Sequence, residues 1–134
     1  SDDETRGAVL GAALDALRDS SRPMERTAGA VLLDGALRGG SLGVLLRSYP
    51  LKGRFESEIV APLETGGTSA LYAAAHGTHE YRFNLMRSLA LLGRVFGSEP
   101  NLPHRCRGFL AAMSQSDPDP RLREMARLYS NPRR

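Results

Sequence analysis

The sequence predicts an all-α fold, and three observations predict it. Leucine and alanine supply 36 of the 134 residues (20 and 16) against only 6 valines and isoleucines. Helix formers therefore outweigh the β-branched residues that a sandwich or barrel needs. Apolar residues recur at steps of three and four along most of the chain, the period of a helix face. The 14 glycines and 8 prolines cut this pattern into short pieces. We expect about eight short helices stacked as antiparallel hairpins in an irregular α-solenoid, with a compact helical bundle as the alternative.

The elements follow in order. Leu10, Leu14 and Leu17, with Val9 and Ala13 beside them, form one stripe of a helix over roughly residues 4 to 18, and Asp2, Asp3 and Glu4 suit the positive end of its dipole. Ser20-Ser21-Arg22-Pro23 breaks it, and Pro23 can open a second helix. Met24, Ala28, Val31, Leu32 and Leu37 carry that helix to a stop at Gly39-Gly40. Ser41 can cap a short helix through Leu42, Leu45 and Leu46 that closes at Tyr49-Pro50. Phe55 and Ile59 mark a helix over 54–61 that Pro62 ends, and Glu64 to Thr68 reads as a loop. Ser69 opens an alanine-rich helix that Gly77 stops. Thr78 caps the strongest helix, whose Tyr81, Leu85, Leu89, Leu92 and Phe96 lie at steps of 4, 4, 3 and 4. Pro103 starts a helix bearing Cys106, Phe109, Leu110 and Met113. After the rigid Ser116-Asp117-Pro118-Asp119-Pro120, Leu122, Met125, Leu128 and Tyr129 give the last helix. The breaks group these helices into pairs over 4–38, 41–62, 69–96 and 103–129. That spacing is similar in pattern to HEAT and armadillo repeats, although no signature residue of either is present. We expect one helical domain over residues 1–134, cut from a longer chain.

Composition narrows the function classes. The apolar runs, such as Val31-Leu32-Leu33, are short for a bilayer, so no membrane association is expected. One cysteine excludes an internal disulfide framework. We expect an intracellular protein, cytoplasmic or nuclear. The net charge is +3, and 17 of the 18 basic residues are arginine. The excess sits late: from Arg105 to Arg134 there are seven arginines and three acidic residues.

Candidate sites were weighed against structural readings. His76, His79 and Glu80 are the one histidine cluster, but Gly77 and Thr78 place a helix junction between the rings, so no metal or other cofactor is expected. Cys106 has His104, Arg105 and Arg107 nearby, charges that would activate a thiol. It also belongs to the apolar set of its helix, which makes it a core residue. Gly39-Gly40-Ser41 and Gly66-Gly67-Thr68-Ser69 precede helices but lack the lysine and spacing of a phosphate loop. Glu56 with Glu58, and Asp117 with Asp119, do not make an acid–base pair, and capping explains the aspartates.

Leu92-Gly93-Arg94-Val95-Phe96 resembles, over five residues, the Gly-Arg motif of the helical apoptosis regulators, which implies a groove for a partner helix. The chain has no tryptophan, and Gly97-Ser98-Glu99-Pro100 follows where that family continues into an apolar helix. With no catalytic constellation, the expected function is non-enzymatic: an adaptor or scaffold domain that holds a partner peptide or helix in an inter-helix groove. Arg82, Arg87 and Arg94 are its expected partner-binding residues, since arginine clamps carboxylates bidentately. The alternatives are an RNA- or DNA-binding domain using Arg105, Arg107, Arg121, Arg123 and Arg127, with Arg133 and Arg134 behind them, and a self-associating structural domain.

Overall fold

The computed structural model describes residues 2–18, 22–72, 78–95 and 101–131, with all their side chains except those of 67–72. The described residues form six continuous helices and no strand, fewer helices than the sequence suggested. They are α1 (Asp2–Arg18), α2 (Pro23–Arg47), α3 (49–72), α4 (His79–Gly93), α5 (Asn101–Ser116) and α6 (Pro120–Tyr129). His76, Phe96, Arg133 and Arg134 lie outside the described residues.

Helices were over-counted because two expected stops are bends. At Gly39-Gly40 the chain passes through a π turn, Leu37–Ser41, and only Gly40 leaves the helical region, at φ 107° and ψ 3°. Glycine reaches that left-handed conformation without the clash a Cβ would bring. Pro62 does not end α3 either. A second π turn, Glu56–Val60, precedes it, and the Ala61 N–H donates to the Glu56 carbonyl five residues back. The wider turn accommodates the ring and the missing donor that would break a regular helix. Helical backbone then continues across 64–68, the expected loop. The real break is Ser48, extended at ψ 105°, whose hydroxyl accepts from Leu51 N–H at 3.4 Å. Other starts follow the sequence. Pro23 sits in the first turn of α2, and Thr78 caps α4 by accepting from Tyr81 N–H at 3.1 Å.

The contacts describe one shared core, and they do not establish the four stacked hairpins expected from the sequence. α1 and α2 form an antiparallel hairpin, but α2 also packs along α4, and α5 touches α3, α4 and α6. Contact of α2 with α4 joins the first and third of the pairs expected from the sequence, so those pairs do not stack in simple chain order. The hairpin closes most tightly at Gly29, where a Cβ would stand 2.9 Å from Ala16 Cβ and 3.0 Å from the Ala13 carbonyl. α4 lies at the centre. Leu85, Met86, Leu89 and Leu92 are fully buried there, together with Leu10 and Leu14 of α1, Leu33 and Leu45 of α2, Phe55 of α3, and Leu102 and Leu110 of α5. The stripe expected on α4 is therefore correct over Tyr81, Leu85, Leu89 and Leu92, but so much surrounds the helix that Arg82, Asn84 and Ser88 are buried with it. Joining across Gly40 makes α2 25 residues long, enough by length and composition to cross a membrane. In this fold its inner side is packed instead against α1 and α4.

Candidate interaction surface

Placement of the arginines decides where a surface can be. Arg82 sits inside the fold, 8% exposed, and its Nε donates to Asp117 Oδ2 at 3.0 Å. Asp117 is itself buried between α5 and α6, and its other carboxylate oxygen accepts from Asp119 N–H at 2.8 Å. Arg82 therefore joins α4 to the α5–α6 turn and is closed to a partner. Arg87 is half-buried beside α2, with Nε 3.4 Å from Asp34 Oδ2 and its guanidinium 5.3 Å from the Phe83 ring. Arg94 caps the end of α4 and lies 6.0 Å over the Tyr129 ring of α6. Residues seven apart share a face of a regular helix, yet Arg87 and Arg94 turn to different neighbours, α2 and α6.

Among the described C-terminal arginines, Arg105, Arg107, Arg123 and Arg127 are likewise turned onto neighbours. Arg105 grips Glu64 with two bonds of 2.9 and 2.6 Å and reaches Glu56 at 3.4 Å, which ties α5 to α3. The hydrogen bond from Arg105 holds the Glu64 carboxyl below its ordinary range. Arg107 donates to the Gly93 carbonyl at 2.6 Å, and Arg123 to the Asp117 carbonyl at 2.6 Å. Arg127 pairs with Glu124 of its own helix, at 2.5 and 2.9 Å. Arg121 is exposed, and its backbone N–H caps α6 on Asp119 Oδ1 at 2.8 Å. Phosphate binding would have to displace most of these pairings.

The remaining candidates resolve simply. His79 stacks on Phe83 and lies 3.0 Å from Asp119 Oδ2. The bond from Arg121 N–H, and secondarily His79, draws the Asp119 pKa down. No group of three metal-binding side chains occurs among the described residues. Cys106 is buried, and that burial pushes its thiol up to about 12 despite the neighbouring arginines. A recess of about 470 Å³ between α3 and α5 is lined by Tyr49, Lys52, Glu56 and Arg105. Its charges are taken up internally, Lys52 with Glu56 at 3.5 Å and Arg105 with Glu56 and Glu64.

A different surface stands out. On α2, Met24, Ala28, Val31 and Gly35 follow at steps of 4, 3 and 4 with Leu32 beside them, and all are exposed. Met24 is 87%, Val31 47% and Leu32 42% exposed. On α1, Thr5, Val9, Ala12 and Ala16 repeat the same steps, exposed or half-buried. Ala16 touches α2 at Gly29, while Gly7 and Gly11 on another side of α1 face Leu51 and Arg54 of α3. The two stripes consequently lie side by side on the outer face of the hairpin, with no charged residue in either. At its rim, a mainly apolar recess of about 260 Å³ opens among Pro23, Met24, Thr27, Thr78 and Glu80.

No protein-family model, curated protein or solved structure matches the chain. Its surface must be read from its own chemistry. Sequence periodicity counted Met24, Ala28, Val31, Leu32 and Leu37 together as the residues that carry α2, because it finds apolar positions without saying which are covered. A signal was present in the run Ala28 to Leu33, six consecutive uncharged residues. A helix apolar all round is either central or carries a face that something else covers.

Proposed function

We propose that this chain is a non-enzymatic interaction module that holds an apolar-faced helical partner on the outside of its α1–α2 hairpin. The observation that carries the reading is the exposure of Met24, Val31 and Leu32 in line on one helix. Contiguous apolar patches of more than a few hundred Å² are uncommon on monomeric proteins and mark sites of association. Magnitudes favour this face over the arginines. Burying one large apolar side chain contributes about 1.5–3 kcal/mol, whereas an exposed ion pair contributes about 0–1 kcal/mol. The titratable groups support a binding role too. Arg54 holds Glu58 below the ordinary carboxylate range, and Arg105 does the same for Glu64, so both stay anionic rather than serving as proton donors. Cys106 stays a thiol.

The test is capture from source-cell lysate at low and high salt with nuclease present, comparing the parent protein with Leu32→Glu and with Arg121→Ala/Arg127→Ala. Capture that survives salt and nuclease and disappears only in Leu32→Glu is the expected result. Capture that is lost with nuclease or salt, and is weakened in the arginine variant, would replace this reading with phosphate-mediated nucleic-acid binding.

A further inference from the structure

We propose that Arg26 holds a carboxylate group in a small recess where four helices meet. These are the end of α1, the start of α2, the second π turn of α3 and the start of α4. The proposal goes beyond the interaction surface and stands or falls without it.

The recess has a volume of about 60 Å³, and its lining includes Leu17, Arg26, Glu58, Ile59, Pro62 and Tyr81. Arg26 crosses from α2 to α4. Its Nη2 donates to the Tyr81 hydroxyl at 3.1 Å, and its guanidinium carbon stands 5.2 Å from the centre of the Tyr81 ring. Its Nε is buried, yet no described residue accepts a hydrogen bond from it. A donor on a charged group is costly to bury without an acceptor, so the atom points to a partner from outside the described residues.

The chain itself shows what this edge of a guanidinium takes. Arg54 presents Nε and Nη2 to Glu58 at 2.8 and 3.1 Å. Arg105 presents the same two atoms to Glu64 at 2.9 and 2.6 Å. Each is the fork that matches the two oxygens of a carboxylate. Arg26 has the edge without the carboxylate, since no described acidic side chain pairs with it. Glu58, the one acidic residue in the described lining, is turned to Arg54 instead. The Tyr81 hydroxyl accepts from Arg26 and keeps its own proton to donate. Arg26 Nε and the Tyr81 hydroxyl thus offer one donor to each oxygen of an entering carboxylate.

Size and polarity narrow the class. A water molecule needs about 10–15 Å³ of such space, so the recess takes about four non-hydrogen atoms, the size of acetate. Leu17, Ile59 and Pro62 give a methyl group apolar contact, and Glu58 disfavours a second negative charge. The ligand is therefore a small monocarboxylate, free or as the C-terminal carboxylate of a peptide.

Thermal unfolding of the 134-residue protein tests this, at neutral pH and fixed ionic strength, with chloride replaced stepwise by acetate. Acetate should raise the midpoint saturably and shift the Arg26 Nε–H resonance in the parent, a direct readout that survives any variant failing to fold. Acetamide, its uncharged isostere, should do neither. Arg26→Lys keeps the charge without the fork and should weaken acetate binding roughly tenfold, and Tyr81→Phe several-fold. N-acetylated trialanine with a free carboxylate, compared with its C-terminal amide, separates the sources. An acid form that binds more tightly than acetate assigns the recess to the end of a peptide, and weaker binding assigns it to a free small acid. No saturable effect of acetate, an equal effect of acetamide, or an effect undiminished in Arg26→Lys overturns the proposal and leaves the recess to water.

Discussion

Arg82 and Asp117 are separated by 35 residues and meet at 3.0 Å inside the fold. Truncating one partner of a buried pair leaves the other charge without compensation and costs about 3–5 kcal/mol. Arg82→Ala should lower the unfolding free energy measured in urea by an amount in that range, whereas Arg127→Ala, which removes an exposed pair within one helix, should leave it little changed. Equal effects in the two variants would mean that the Arg82–Asp117 contact is not buried in solution. Neither this pair nor the Arg87–Asp34 contact was legible in the sequence. Helical spacing says which residues share a face of their own helix, but nothing about which distant loop that face meets. Asp119 was legible as a cap because its partner is Arg121, two positions on.

Helix existence was read well, and helix ends less so. The apolar stripe of α4 and the starts at Pro23 and Thr78 are local properties of a few adjacent residues. Pro62 was misjudged, and Gly40 does interrupt helical geometry but at a kink rather than at a full stop, because a glycine or proline states only what the backbone there cannot do or can do freely. Whether the chain stops or bends depends on a π turn that the packing of α2 and α3 supports. Two glycines show how opposite the outcome of one substitution can be. Gly29→Ala should destabilise the protein by about 1–3 kcal/mol through overpacking against Ala16. Gly108 is exposed within α5 with open space where a Cβ would be, so Gly108→Ala should add up to about 1 kcal/mol of stability. Thermal denaturation of both variants checks the pair. A stable Gly29→Ala would mean that α1 and α2 sit further apart than described.

Across the whole molecule, arginine–carboxylate pairs link helices distant in sequence, Arg54 with Asp15 of α1 and Arg105 with Glu56 and Glu64 of α3, and Arg54 also holds Glu58 of its own helix. They set the acid response. Glu58 and Glu64 bind protons less readily in the fold than when unfolded, so the unfolded state takes up more protons as pH falls. Their contribution is complete above the unfolded carboxylate pKa of about 4.3 and is lost as pH drops through the lowered folded values. Stability measured by urea should therefore decline below about pH 5, and the decline should be shallower in Arg54→Ala. An unchanged slope would show that Arg54 does not hold Glu58. The all-helical class was legible from composition alone, but the shared core was not, because the contact of α2 with α4 joins stretches of chain about 50 residues apart. That central position of α4 also has a consequence in time. Ten of its fifteen residues are buried, with other helices packed around it. Its amide protons can reach solvent only when the surrounding helices come apart together, so in deuterium exchange α4 should be the last helix to label, at a rate set by the opening of the entire fold.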